Sequence, residues 1–317
     1  MHPLIHTFLH TDDLETQQVL ADQLCEQGHP RGEFIAVQLA RGSAPLTDHE
    51  RTLIQAHLHE WIGPIAAIDH APARRWRRGF LSEVLLRLPS AEKTLAAIPT
   101  PWWQTVEVIR IHKVGSLRDP FTRLLLEAPL HALTTFEGPL PIDAFTGWLQ
   151  GSPRPLTSAS LPRLPTFPNT AAIDALTPAL SASGLPLLRH ARLRTYIGDA
   201  PDDYAWLWST ALGQQLSSLT LAASPLLAGP WWLQLRSEAP RLQQLALEST
   251  GCRIEFTHDT LHFEFTSPRF YGLAPTSFTQ EELVLRILSS LPEDSLSRVS
   301  GSQSERIDEE LQRVCKR

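Results

Sequence analysis

The chain has 317 residues, of which 42% are hydrophobic and 20% are charged, which is an ordinary composition for a globular protein. Its formal charge of −6 argues against a generally basic nucleic-acid binder, although a local basic patch remains compatible with it. No apolar run is long enough to cross a bilayer, and the start "MHPLIHTFLHTDD" lacks the features of a signal peptide. The length exceeds that of most single cores, so we expect two domains or an elongated repeat array.

The three cysteines, Cys25, Cys252 and Cys315, are an odd number, lie far apart and form no CxxC motif. This pattern argues against a disulfide framework and against a cysteine-rich zinc site. We therefore expect a cytoplasmic protein in a reducing compartment.

Three short helices are predicted at the start of the chain. The first has apolar residues at helical spacing and ends at Gly28, where a left-handed residue commonly closes a helix. Pro30 suits the first turn of a second helix, which continues to Gly42. A third helix is opened by Thr47 or Asp48 and is closed at Gly63 and Pro64. Together they predict a small helical module.

Asp22 and Arg31 face the elbow between the first two helices. We interpret them as a structural clamp across the elbow. A catalytic role is disfavoured, because neither a nucleophile nor a histidine base stands beside them.

The stretch "VLADQLCEQGHPRGEFIAVQLA" resembles the repeat-companion domain of some bacteria with large genomes, and "WIGPIAAI" and "WRRGFLSEVLL" extend the likeness. The shared residues are Ala21, Asp22, Leu24, Glu26, Gly28, Pro30, Arg31, Gly32, Glu33, Phe34, Trp61, Gly63, Pro64, Gly79 and Phe80. The chain departs from the motif at Leu20, Gln23, Cys25, Gln27 and His29. The resemblance implies a leader ahead of a leucine-rich-repeat-like array, and it implies neither a catalytic residue nor an activity.

A pattern of apolar–x–x–apolar–x–apolar recurs downstream, with intervals of 24 to 31 residues. Its clear copies begin at Leu81, Val106, Leu188, Leu216 and Leu242, and looser ones at Leu130 and Leu161. Leucine-rich repeats span about 20–29 residues. Because helix-like stretches separate the copies, we predict an α/β fold in which parallel strands and outer helices form a curved, ribonuclease-inhibitor-like solenoid. One buried row is predicted to contain Val84, Ile109, Leu133, Leu164, Leu193, Leu219 and Leu245.

The predicted domains are a helical leader over 1–70 and a solenoid over 71–317. Within the solenoid, the segment 151–169 is rich in proline and serine, which favours an irregular rim loop. Alternating apolar residues over 252–266 predict a β-hairpin. The stretches "TQEELVLRILSSL" and "SERIDEELQRVCKR" are interpreted as helices of a C-terminal cap.

The third, fifth and seventh positions of each repeat should point away from the core, towards a concave face. The basic side chains predicted there as a binding site are Arg87, Arg110, His112, His190, Arg192 and Arg194. Glu83, Glu137 and Glu248 hold similar positions, so the face should be mixed in charge. These predictions favour a non-enzymatic scaffold that binds another protein or peptide.

A second hypothesis is a nucleic-acid or polyanion binder that uses Arg74, Arg75, Arg77 and Arg78 around Trp76. We favour instead that these arginines cover the open end of the first repeat. A third is an accessory protein of a biosynthetic or defence gene cluster.

Catalytic and phosphate-loop signatures are absent, so we expect neither enzyme activity nor a cofactor. His2, His6 and His10 recur every four residues, but their place at a chain end beside Pro3 argues against a metal site. No membrane association is expected, and the oligomeric state stays open.

Overall fold

The chain divides into two compact units, Met1–Ala144 and Phe145–Arg317. The predicted domain boundary at 70/71 lies inside the first unit. The computed structural model describes residues 13–42, 44–70, 76–114, 116–166, 169–181, 184–194, 200–222, 227–249, 252–257, 260–265, 269–271, 277–291, 296 and 298–300. The fold is α/β, with helices beside mostly parallel strands. Among these residues, no helix combines the length and the apolar character that crossing a membrane requires.

The first unit begins with helices and continues with alternating strands and helices. Its elements are α1 (Leu14–Glu26), α2 (Pro30–Arg41), α3 (Asp48–Ile62), a 3-10 turn (Gly63–Ala67), β1 (Trp76–Arg77), β2 (Phe80–Leu81), β3 (Glu83–Arg87), α4 (Ala91–Ala97), a 3-10 turn (Pro101–Thr105), β4 (Val108–Lys113), α5 (Arg118–Glu127), β5 (Thr135–Glu137) and α6 (Ile142–Gln150), in which the boundary between the units falls.

The three predicted leader helices are confirmed, and their ends follow from local chemistry. Gly28 has a φ of +69° and closes α1. A residue with a Cβ would be strained in this left-handed conformation, so glycine is favoured there. Thr47 and Glu50 form a capping box at the start of α3. A Cβ added to Gly32 would lie 2.6 Å from the backbone nitrogen of Cys25, so glycine here lets α1 and α2 pack closely.

The β1–β2 hairpin ties this helical module to the first strands. Arg78 and Gly79 form its turn with φ values of +52° and +83°, both positive as in the primed turns that hairpins favour. The N–H of Gly79 donates to the Gln38 side-chain oxygen of α2 over 2.7 Å. Phe80 completes the apolar cluster of Leu20, Ala21, Leu24 and Ile35.

Strands β3, β4 and β5 are parallel and in register, with Val84 beside Ile109 and Ile109 beside Phe136. All three side chains are fully buried. Phe121 of α5 stacks on Phe136 with ring centroids 6.5 Å apart, which places a helix against this buried side of the sheet.

The second unit repeats the alternation of strands and helices and ends in antiparallel strands. Its elements are β6 (Ser158–Ser160), α7 (Thr170–Leu180), β7 (His190–Arg194), a 3-10 turn (Pro201–Tyr204), α8 (Ala205–Trp208), α9 (Ala211–Gln215), β8 (Ser218–Ala222), α10 (Ala228–Glu238), β9 (Gln244–Ser249), β10 (Cys252–Thr257), β11 (Thr260–Phe265), β12 (Arg269–Tyr271), β13 (Ser277–Thr279), α11 (Gln280–Ser289) and β14 (Arg298–Ser300).

All members of the predicted buried row are buried, but their register is partly wrong. Ala159, Ala191, Leu219 and Leu245 stand side by side on β6 to β9, so Ala191 occupies the place assigned to Leu193. In the first unit, Phe136 takes the place assigned to Leu133, which precedes β5. The predicted row is therefore in register at Val84, Ile109, Leu219 and Leu245, and it is out of register at Leu133, Leu164 and Leu193.

The expectation of an irregular loop over the whole of 151–169 is wrong, because β6 at 158–160 pairs with β7 inside it. Ser158, Ala159 and Ser160 form this strand ahead of Leu161, where the looser copy was expected to begin. Pro162 and Pro165 follow, and proline cannot donate to a strand ladder, which limits the strand to the residues before them.

The predicted hairpin is confirmed as β10 and β11, and it extends the sheet instead of standing apart from it. Strand β10 pairs antiparallel with both β9 and β11, and β11 pairs in parallel with β14. The predicted helix at "TQEELVLRILSSL" is confirmed as α11. The last predicted helix, like Cys315, lies outside the described residues.

Candidate functional site: two polar strand faces and an end pocket

The strands turn alternate side chains to opposite sides of the sheet, and the outward side is polar in both units. We call the outward residues of β3 to β5 the first polar face and those of β6 to β10 the second polar face. The first comprises Glu83, Leu85, Arg87, Val108, Arg110, His112, Thr135 and Glu137. The second includes Ser158, Ser160, His190, Arg192, Arg194, Ser218, Thr220, Gln244, Glu248, Arg253 and Glu255.

All six basic residues predicted for this face are exposed, three of them in each unit. Within the first unit, Arg87, Arg110 and His112 lie on neighbouring parallel strands. Within the second, His190, Arg192 and Arg194 alternate with buried Ala191 and Leu193 along β7. The prediction that they point away from the core is confirmed by this alternation.

Arg110 is not a free cation, because two carboxylates of neighbouring strands hold it. Its guanidinium donates to Glu83 over 2.6 Å and to Glu137 over 2.8 Å. Partial burial alone would lower the pKa of Arg110, but these two carboxylates outweigh it and hold the pKa above the usual value. The first polar face therefore neutralises its central charge internally.

Arg192 is held in a similar way on the second polar face. It forms an ion pair with Glu248 over 2.8 Å, and Glu248 is also bound by Arg253. Arg253 contacts Glu255 over 3.1 Å. This network leaves His190 and Arg194 without a side-chain hydrogen bond or ion pair to any described residue.

A pocket of about 610 Å³ lies in the first unit at the carboxyl ends of β3 and β4. We call it the end pocket. Its polar lining residues are Asp69, His70, Arg87 and Ser116. Its apolar lining residues are Ala67, Leu88, Pro89, Val114 and Leu117. In open α/β sheets, ligands commonly bind beyond the carboxyl ends of the strands.

The wall of the end pocket comes from a segment that runs antiparallel along β3. The N–H of His70 donates to the carbonyl of Leu85 over 2.8 Å, and the N–H of Arg87 donates to that of Ile68 over 2.9 Å. The Asp69 carboxylate accepts the N–H of Leu85 over 3.0 Å. His70 stacks on His112 of β4 with ring centroids 4.5 Å apart. Asp69, His70 and Ser116 were missed by the sequence analysis, since nothing in one sequence shows that 68–70 folds back along β3.

The predicted Asp22–Arg31 clamp is wrong as an ion pair. Asp22 is exposed and accepts a hydrogen bond from Gln18, one turn earlier on α1. Arg31 is 1% exposed and donates to the carbonyl of Trp61 over 2.8 Å, near the negative end of α3. Its guanidinium lies 4.3 Å from the ring centroid of Trp102. Burial lowers the pKa of Arg31 to about 9, against an opposing effect of the nearby Glu60 charge.

The predicted basic segment is only partly described, because Arg74 and Arg75 lie outside the described residues. Arg77 binds Glu107 through two contacts of 2.9 and 2.8 Å, and Arg78 lies in the hairpin turn. Trp76 is buried against Phe34 and Trp61. In its described part, this segment makes its contacts within the first unit, through Arg77 to Glu107 and through Trp76 to the two aromatic rings.

The described residues contain no cluster of three His, Cys, Asp or Glu side chains that could hold a metal ion. His2, His6 and His10 lie outside them. Cys25 is exposed, and burial together with the charges of Asp22 and Glu33 raises the pKa of its thiol. A raised pKa disfavours the reactive thiolate.

Comparison with protein-family models, curated proteins and solved structures finds no significant match to this chain. The resemblance to the repeat-companion domain therefore stays a prediction.

Proposed function

We propose that this chain is a non-enzymatic scaffold that binds another protein or peptide, built as a curved leucine-rich-repeat-like solenoid behind a helical leader. The observation that carries the proposal is the exposed face of a parallel sheet. Parallel sheets are usually covered on both faces by helices. Here β3, β7 and β8 alternate buried with exposed or half-buried residues, which is the pattern of a sheet with one open face.

The chemistry of this face suits recognition of a protein surface. Arg110 and Arg192 are held by glutamates of other strands, so their positions are set before a partner arrives, which lowers the entropic cost of binding. Mixed charges at fixed positions favour partners with the complementary pattern. The Arg194 guanidinium and the His190 imidazole are both exposed and remain available on the second polar face.

Nucleic-acid binding through the basic segment receives less support. Phosphate binding requires cations that are free to contact the backbone. Arg77 is already engaged by Glu107, and the central arginines of both polar faces are engaged by glutamates. Salt-dependent capture of nucleic acid in the test below would therefore contradict the proposal of a protein or peptide partner.

The test is affinity capture with the full chain from a lysate of its source cells, followed by mass spectrometry. His190→Glu combined with Arg194→Glu reverses the available charge without breaking an ion pair. Arg241→Glu is the matched control, because Arg241 is also exposed but lies in the turn before β9. All variants should keep the far-ultraviolet circular dichroism of the wild type.

We expect a specific protein to be retained by the wild type and by Arg241→Glu, and to be lost from the double variant. The purified partner should then bind with at least tenfold lower affinity to the double variant. Equal retention of the partner by the wild type and by both variants would indicate that the binding site lies outside the second polar face. Salt-dependent capture of nucleic acid in place of a protein would overturn the proposal.

A further inference from the structure

The end pocket contains a cation, Arg87, whose side chain has no partner among the residues that the structure describes. Arg87 is exposed, and its side chain makes no hydrogen bond or ion pair with the described residues. By contrast, Arg77 and Arg110 of the same unit are each bound by glutamate. A guanidinium at the rim of a pocket, with its donors unused, is arranged to meet an anion from outside.

The neighbouring donor is held in place by stacking. His70 lines the pocket, and its ring lies on that of His112 at 4.5 Å between centroids. Ser116 adds a hydroxyl to the lining of the pocket. The pocket therefore brings a guanidinium, an imidazole and a hydroxyl to one cavity, which matches the few polar groups that orient ligands in small-molecule sites.

The charge of Asp69 limits which anion fits. Its carboxylate belongs to the pocket wall and is anchored by the N–H of Leu85. By Coulomb's law it repels a dianion twice as strongly as a monoanion at the same distance. A carboxylate is singly charged and matches the planar fork of arginine, so it is favoured over a phosphate.

The remaining lining is apolar and the cavity exceeds a carboxylate in size. Its volume of about 610 Å³ lies within the range of about 300–1,000 Å³ that is usual for ligand pockets. Leu88, Val114 and Leu117 offer surface to an apolar group beside the anion. The ligand should therefore join a carboxylate to a small apolar group.

We propose that the end pocket is a binding site for a monoanionic carboxylate attached to an apolar group, with Arg87 as its principal contact and His70 as a second donor. Such a group occurs at the free C-terminus of a peptide and in small carboxylic acids. The site lies in the first unit and does not depend on the partner proposed for the second polar face.

The test is isothermal titration of the full chain with N-acetyl-leucine, with its neutral amide and with inorganic phosphate. N-acetyl-leucine should bind, and the amide and phosphate should each bind at least tenfold more weakly. A tetrapeptide with a free C-terminal leucine distinguishes the two sources. Tighter binding than that of N-acetyl-leucine assigns the pocket to chain termini, and equal binding assigns it to free acids.

Arg87→Gln should weaken the binding of N-acetyl-leucine about tenfold or more, because a hydrogen-bonded charge is lost. His70→Gln should weaken it by a smaller factor. Arg194→Gln is the matched control, since Arg194 lies at the end of β7 in the other unit and its side chain binds no other residue in the described part of the chain, and this change should leave affinity unchanged. Undetectable binding to the wild type, unchanged affinity in Arg87→Gln, or tighter binding of phosphate would each overturn the proposal.

Discussion

Replacing Arg31 tests whether its charge or its shape stabilises the first unit. Lowering the pKa of this guanidinium from 12.5 to about 9 by burial corresponds to a cost on the order of 5 kcal/mol for keeping the cation in the fold, at about 1.4 kcal/mol per pH unit. The rings of Trp102, Phe80 and Trp61 lie 4.3, 5.1 and 5.3 Å from the guanidinium. Cation–π contacts of one guanidinium shared among three rings contribute about 1 kcal/mol each, so together they offset roughly 3 kcal/mol of this cost.

The hydrogen bond to the Trp61 carbonyl adds a contribution on the order of 2 kcal/mol, because it involves a charged donor. The charge of Arg31 therefore contributes little to the net free energy of unfolding, whereas its side chain fills space in the core and is almost completely buried. Arg31→Met keeps most of that volume and should change the free energy of unfolding by no more than about 2 kcal/mol. Arg31→Ala leaves a cavity and should cost about 3–5 kcal/mol.

Differential scanning calorimetry of the full chain measures both variants. With a change of about 2–4 °C per kcal/mol for a unit of this size, Arg31→Ala should lower the melting temperature of the first unit by about 10 °C. Arg51→Met is the control, because Arg51 of α3 is exposed and pairs with Asp48 one turn earlier on the same helix. If Arg31→Met melted as low as Arg31→Ala, the charge itself would be essential and the offset argued above would be refuted.

Two further predictions concern the cores of the two units. Leu219→Asp should unfold the strands around β8, as measured by circular dichroism, because Leu219 is fully buried and its new charge would lack a partner, whereas the control Thr220→Asp on the second polar face should stay folded. Burial alone would raise the pKa of Glu50, but hydrogen bonds from Thr47 and the charge of Arg41 hold it below its usual value. Since the folded pKa is depressed, the stabilisation by Glu50 is complete above the unfolded pKa and is lost as pH falls through the folded value. Glu50→Gln should therefore cost about 2 kcal/mol in urea unfolding at pH 7 and progressively less below pH 4, and a difference independent of pH would contradict this reasoning.

Much of the leader could be predicted because its signals are local. Gly28, Pro30 and Thr47 act within a few residues along the chain, and the helix ends follow from them. The partner of Arg31 could not be predicted in this way. A long side chain in the first turn of α2 reaches whichever neighbour lies beneath it, and here that neighbour is the end of α3, 30 residues later.

The repeats show the same dependence on local signal strength. Leu216, Leu219 and Leu221 specify their strand clearly, because three large apolar residues mark its inward side. Ser158, Ala159 and Ser160 form an equivalent strand with only one small residue facing inward. Its place in the sheet comes from pairing with β7, which a single sequence does not reveal.

The end pocket has its origin in the protection of a sheet edge. Strand β3 is the terminal strand of its sheet, and an uncovered edge invites pairing with other chains. The segment 68–70 covers this edge through backbone hydrogen bonds to Leu85 and Arg87. The same placement sets His70 and Asp69 beside the carboxyl end of β3, where Arg87 stands. Edge protection explains the backbone contacts, but it requires neither a stacked histidine pair nor an arginine that no other described residue binds through its side chain. Those two features are what a ligand site would need and a cap would not.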